Sequence, residues 1–252
     1  MQLKGSTDSK TSGLSTPRVL QSELEEMSPW TRSRAKRIFD VASILVSAPI
    51  VLPLLALIAL AVAASSSGPV FFRQIRLGRF GEPFAIFKFR TMQHVPGDHR
   101  DAIAAASADR ITWLGRILRW LKLDELPQVL NVLAGQMSLV GPRPLVPEQR
   151  IQSFQCRPGI TGFATLAFAR EESLFALIPK DALPQYYRKT ILPAKQRLDA
   201  DYMKQATLFS DLKLIFDTAF RCWGAYARLV APNAVEIHIS ERLTEAEGAT
   251  LQ

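Results

Sequence analysis

Asp124 and Glu125 stand side by side in the stretch LKLDELPQVLNVLAGQMSLVGPRPL, residues 121–145. Adjacent carboxylates repel each other, so cations must hold them in place if both are to stay charged. Candidates lie on either side: Arg119 and Lys122 before the pair, and Arg143 in a Gly-Pro-Arg-Pro turn after it. Lys88 and Arg90 lie further upstream, on a segment with strand character. A carboxylate among cations can bind a divalent metal or attack an electrophile. Transfer from a diphosphate needs both of these capacities. Cations and Mg²⁺ spread the charge, and a nucleophile lines up with the leaving oxygen. The competing reading is helix capping, with Asp124 as N-cap, Glu125 in the first position, Pro127 in the first turn and Gly135 as the stop. An acid near a helix N-terminus contributes only about 0.3–1 kcal/mol.

The elements that must position these residues can be read from periodicity. PVFFRQIR and PFAIFKFRT alternate apolar and basic residues around the turn-forming GRFGEP, which predicts a β-hairpin. Its polar face is expected to carry Arg73, Lys88 and Arg90. DRITWLGRILRWLKL, residues 109–123, puts Trp113, Leu114, Ile117, Leu118 and Leu121 on one helical stripe, with Arg116, Arg119 and Lys122 at i,i+3. That is the pattern of a basic amphipathic helix in a membrane interface. Residues 93–107 read as a loop or short helix. RPGITG, residues 157–162, reads as a turn. The segments 183–207 and 210–229 read as helices, the second with Leu212, Ile215, Phe216, Ala219, Phe220 and Trp223 along one apolar face.

Upstream lies VASILVSAPIVLPLLALIALAVAA, residues 41–64, without a charge. A straight helix of that length would run about 36 Å, against a hydrocarbon core of about 30 Å. Pro49 and Pro53 interrupt its middle, where proline breaks the hydrogen-bond ladder. Both flanks are basic: Arg32, Arg34, Lys36 and Arg37 before, and Arg73, Arg76 and Arg79 after. A spanning helix carries its basic flank on one side only. A helix broken at the prolines, dipping into the bilayer and returning, puts both flanks in one compartment. Spanning and re-entry are the two readings. Residues 1–31 and 231–252 read as loose tails, and the first thirty residues hold no apolar core of a signal peptide.

The 252 residues carry 31 Lys+Arg against 23 Asp+Glu, a formal charge of +8 that calls for an anionic partner. A nucleic-acid-binding protein accounts for the charge but not for the apolar run. Cys156 and Cys222 lie in no metal-ligand spacing and read as reduced thiols. His94, His99 and His238 show no pairing at helical spacing and build no metal site.

Taken together, KRIFD, GPVFFRQIRLGRFGEPFAIFKFRTM, LKLDELPQVLNVLAGQMSLVGPRPL, RPGITG and LDADYM…SDLKLIFDT resemble the bacterial sugar transferases that act on polyprenol phosphates. The likeness is to the short, monotopic phosphoglycosyl transferases. It implies an α+β fold, mostly helical, with a re-entrant membrane helix, amphipathic interfacial helices and a small β-hairpin. The domain order would be a flexible tail (1–31), a basic flank and membrane helix (32–66), a cytoplasmic-face catalytic domain (67–230) and a C-terminal tail (231–252). Pro53, with Pro49 near it, falls at the family's helix break, though Leu52 stands where serine is common. The resemblance makes Asp124 the nucleophile that takes up a phosphosugar, Glu125 its assistant, and Asp124 a ligand of Mg²⁺. Lys88, Arg90, Arg119 and Arg143 would bind substrate. The implied partners are a UDP-sugar, undecaprenyl phosphate and membrane lipid, with no nucleic acid and a homo-oligomer left open. The implied location is the cytoplasmic face of a bacterial inner membrane. FATLAFAR, after RPGITG, departs from the family pattern. A non-catalytic membrane-anchored assembly partner is the alternative, and it would not need Asp124 and Glu125 together.

Overall fold

The computed structural model describes residues 27–93, 110–147, 155–169 and 182–222, with positions 171, 175, 178 and 179 between the last two stretches. The histidines, both expected tails beyond residues 27–31, Trp223 and the segment 94–107 lie outside the described residues. The protein is mostly helical, with one long apolar helix and one antiparallel two-stranded sheet.

Residues 27–31, expected in the tail, are packed instead. A helical turn α1 (Pro29–Arg32) is capped by Ser28, whose main-chain N–H donates to Met203 O at 2.8 Å. Helix α2 (Arg34–Ser65) follows, with Ser33 Oγ accepting from the N–H of Lys36. The break expected at the prolines does not divide the helix in two: α2 runs through Pro49 and Pro53 as one element of 32 residues. It is long and apolar enough to cross a membrane. Lys36, Asp40, Ile44, Ile58 and Val62 are buried. Ile44 joins Phe84, Ile86, Val132 and Met137 in one core cluster, and Ile58 and Val62 join Phe89 and Leu118 in another. On the remaining face Leu45, Val46, Ile50, Leu52, Leu57 and Leu60 are each at least 60% exposed.

Both ends of α2 are tied to the same globular body. At the N-terminal end, Lys36 pairs with Asp211, and Asp40 accepts from Ser138 Oγ at 2.8 Å and from the N–H of Leu139 at 3.2 Å. Asp211 is fully buried and also accepts from Trp30 Nε1 and Tyr202 OH, both at 2.8 Å. At the C-terminal end the Arg90 guanidinium donates to the carbonyls of Val62, Ser66 and Pro69.

Strands β1 (Phe71–Leu77) and β2 (Pro83–Phe89) form the expected hairpin. Its register corrects the expected polar face. Phe72 pairs with Lys88 and Arg76 with Phe84, whereas Arg73 pairs with Phe87. Opposed residues share a face, and successive residues alternate. Lys88 therefore shares its face with Arg76, and Arg73 lies on the other, over the Phe87 ring at 5.2 Å.

Helix α3 (Trp113–Trp120) is capped by Thr112 and ends before a 3₁₀ turn (Leu123–Gln128) that leads into α4 (Val129–Leu133). The expected stripe on α3 divides. Leu118 is buried and Leu114 packs beside it, while Trp113 is 71% exposed; Trp120, outside the stripe, is 72% exposed. Gly135, at φ +80°, stops α4 as expected. RPGITG holds a strand rather than only a turn: β3 (Ser138–Val140) pairs in parallel with β4 (Gly159–Thr161). A Cβ on Gly159 would sit 2.1 Å from the Gly141 nitrogen, so only glycine allows that approach. Short α5 (Phe163–Ala167) and α6 (Leu183–Tyr186) lead through a π turn (Tyr187–Ile191) to α7 (Leu192–Gln205) and α8 (Leu208–Cys222). On α8, Phe209, Leu212, Phe216 and Phe220 are exposed.

Candidate active site

The dyad sits in the 3₁₀ turn, not at an α-helical N-terminus. The residue before that turn, two positions ahead of Asp124, is Lys122, in the left-handed region at φ 57°. A non-glycine residue there costs roughly 1–2 kcal/mol. Such strain gathers at functional sites. Capping therefore does not explain the two acids, because neither occupies the N-cap.

Asp124 and Glu125 have opposite surroundings. Glu125 Oε1 accepts from Lys88 Nζ at 2.6 Å and lies 3.4 Å from Arg143 Nη2. Burial pushes its carboxyl up, but Lys88 and then Arg143 outweigh burial and hold it well below the usual carboxylate range. Glu125 in turn raises the Arg143 guanidinium. Asp124 is buried, and its Oδ1 meets no hydrogen-bond donor. Burial first, and the neighbouring Glu125 second, raise its pKa, against Lys88, Lys122 and Arg119. Asp124 is thus the less compensated acid, with an oxygen to offer.

The supports are local. Asn131, fully buried on α4, acts as a side-chain strand partner: its Oδ1 accepts from the N–H of Phe87 at 3.1 Å and its Nδ2 donates to Ala85 O at 2.8 Å. That clamp fixes β2 against α4 and places Lys88, the next residue, at the dyad. Arg119 Nε donates to Thr91 Oγ1 at 3.0 Å, on the Asp124 side. The N–H of Arg143 donates to Asp199 Oδ2 at 3.3 Å.

A cleft lined by Arg76, Lys88, Glu125, Gln128, Arg143 and the β4 residues Gly159 and Ile160 opens beside the pair. Glu125 forms part of its wall; Asp124 does not. The structure thus brings Lys88, Arg143, Asp124 and Glu125 together, with Arg119 within electrostatic reach of Asp124. It does not bring Arg90, whose two terminal nitrogens donate to carbonyls at and just past the end of α2. Arg90 follows Lys88 at i+2 but lies beyond the strand, where the chain turns toward α2. Sequence reasoning missed Arg76, Gln128, Asn131 and Asp199 as site residues. Only the Lys195–Asp199 spacing of i,i+4 on a helical pattern offered a signal for one of them.

No cluster of three or more His, Cys, Asp or Glu side chains that could cage a metal occurs among the described residues. Mg²⁺ needs no such cage. It uses one or two carboxylates, with substrate phosphates and water completing its shell. The unpartnered Oδ1 of Asp124 fits that role.

A profile of the family described as "Bacterial sugar transferase" matches residues 31–224. The chain is 40% identical over 197 residues to UDP-glucose:undecaprenyl-phosphate glucose-1-phosphate transferase of Caulobacter vibrioides, covering 73% of this chain and 67% of that protein. It is 35% identical over 225 residues to the Escherichia coli protein of the same description, covering 81% and 46%. It is 30% identical over 232 residues to the exopolysaccharide production protein ExoY of Rhizobium meliloti, covering 83% and 94%. The chain therefore spans two thirds of the first relative and under half of the second. The hairpin, the dyad turn and every element from α2 to α8 lie within the matched residues, and the chain belongs to the bacterial sugar transferase family.

Proposed function

We propose that the protein transfers a sugar-1-phosphate from a UDP-sugar to undecaprenyl phosphate and releases UMP, by way of a phosphosugar held on Asp124. One observation carries this reading. Of two adjacent acids, the half-buried Glu125 is held by Lys88 and Arg143, and the buried Asp124 keeps an unpartnered oxygen among cations. In the first step that oxygen attacks the β-phosphorus, the bond to UMP breaks, and the electron pair leaves on UMP. Lys88 and Arg143 line the adjoining cleft, where a diphosphate would lie, and their positive charge offsets the charge growing on the leaving phosphate. In the second step an oxygen of the lipid phosphate attacks the same phosphorus and frees the Asp124 carboxylate. Glu125, charged and anchored, orients Lys88 and Arg143 rather than reacting. Bound at Asp124, Mg²⁺ would neutralise diphosphate charge. The relatives named for glucose make UDP-glucose the first donor to try.

We propose further that α2 re-enters the bilayer and that the catalytic body lies on the cytoplasmic face of the inner membrane. Support comes from the two ends of α2, both tied to the same body, and from its outer face of exposed leucine, isoleucine and valine. Leaving each such side chain in water forgoes about 1.5–3 kcal/mol. The exposed Trp113 and Trp120 on α3 and the phenylalanines of α8 suit an interface.

The test is a panel of UDP-sugars, including N-acetylated and deoxyamino forms, with undecaprenyl phosphate and purified protein in detergent, reading UMP. One sugar should give turnover that Asp124→Asn abolishes. Turnover with no sugar of the panel would favour the non-catalytic anchor instead, and full turnover in a variant with both acids changed to amides would remove the dyad from the reaction.

A further inference from the structure

Behind the Arg143 turn lies a second charged group that the reaction above does not use. Asp199 on α7 is 3% exposed. Its Oδ2 accepts the N–H of Arg143 at 3.3 Å. Oδ1 meets no donor at all. The same Arg143 reaches Glu125 with its guanidinium. Asp199 is thus joined to the dyad through one residue: main chain on one side, side chain on the other.

We propose that Asp199 is a positioning residue for the donor site, holding the Arg143 guanidinium at Glu125 when charged and loosening that hold when neutral. The inference rests on Arg143 serving the nucleotide-sugar, as proposed above. The groups facing Asp199 are few. Arg143 comes from the turn after β3, Lys195 lies one turn earlier on α7 and is paired with Glu171, and the Cys156 thiol lies before β4. Burial raises that thiol to about 12, so it stays neutral throughout. Burial likewise raises Asp199 to about 7, against the Arg143 N–H, Arg143 and Lys195. The acceptor of the Arg143 N–H therefore gains and loses its charge near neutrality, and a charged acceptor binds an N–H more strongly than a neutral one.

The sign for stability is opposite to that for binding. A carboxyl raised on folding costs stability once the unfolded chain ionises. The loss grows as pH rises from the ordinary carboxylate range and is complete above about pH 7. Asp199→Asn removes that cost. The variant should therefore melt higher than the parent at pH 8, by a margin that shrinks toward pH 5.5. A role in packing alone gives no reason for a more stable variant to bind the donor worse.

The experiment compares the parent and Asp199→Asn in detergent, measuring UDP affinity and Tm from pH 5.5 to 8.5. UDP titrates identically in both, so the ratio of the two affinities isolates the protein. The ratio should be near one at pH 5.5 and grow to on the order of tenfold in favour of the parent at pH 8, the worth of one charge-assisted hydrogen bond. A ratio that stays constant with pH while both proteins bind UDP overturns the role of Asp199 alone. UDP binding to neither protein overturns the donor-site reading and this inference with it. A Tm difference independent of pH shows that Asp199 does not titrate in this range, and also overturns the inference.

Discussion

At the scale of single residues, the candidate site surrounds two like acids differently. Glu125 has two cationic partners and Asp124 has an unpartnered oxygen, so substitutions at the two should have different consequences. Arg143→Ala should raise the apparent KM for the UDP-sugar more than that for undecaprenyl phosphate. Steady-state kinetics with each substrate varied in turn checks this, and equal effects would remove Arg143 from the donor site. Asn131→Ala leaves the Phe87 N–H and Ala85 O without their buried partner and should cost about 1–3 kcal/mol. It should also lower kcat, because Lys88 loses its register; a melting curve and a rate together test both halves. Asp124, Glu125, Lys88 and Arg143 could be read from the sequence because charge pattern and a Pro-Arg-Pro turn are local signals. Asn131 and Asp199 could not. A buried polar side chain that stands in for a strand or holds a turn looks, in one dimension, like any polar residue on a helix. Arg90 shows the same gap from the other side, since its basic character was plain and its partners at the end of α2 were not.

At the scale of elements, the central feature is α2 and the anchors at its two ends. Periodicity and length revealed the apolar helix, and alternation revealed the hairpin. The parallel β3–β4 pair escaped because three-residue strands carry no period. The hairpin face was misassigned because a shift of one residue exchanges the faces of a strand. The anchor at the start of α2 is the Lys36–Asp211 pair, joined by Trp30 and Tyr202. Asp211→Ala leaves Lys36 buried without its counter-charge and should cost about 3–5 kcal/mol. Replacing Lys36 and Asp211 together with methionine and leucine should cost less, and thermal melting in detergent decides the order. Single cysteines at Arg34 and Ser67, one at each end of α2, should both resist an impermeant thiol reagent added to intact cells. Labelling at one of them alone would mean that α2 spans the membrane. Changing Pro49 and Pro53 together to leucine should push the helix toward that state.

At the scale of the whole molecule, one body carries an apolar helix with its outer face bare, aromatic side chains exposed on α3 and α8, and a basic cleft beside two acids. This distribution fits a protein that works where an anionic water-soluble donor meets an anionic lipid. The net charge of +8 suits both of the proposed partners. The family resemblance was carried by five ordered motifs, and their order was legible because each is a local run. How they converge was not, because Lys88, Glu125, Arg143 and Asp199 come from four separate elements. The account stands most directly on whether the first half of the reaction proceeds alone. Purified protein mixed with its UDP-sugar, Mg²⁺ and no lipid should release UMP in an amount bounded by one per active site. A phosphosugar adduct on Asp124 should appear by mass spectrometry, and both should vanish in Asp124→Asn. UMP that appears only after undecaprenyl phosphate is added, with no adduct on Asp124, would contradict the covalent mechanism and put direct transfer between the two bound substrates in its place.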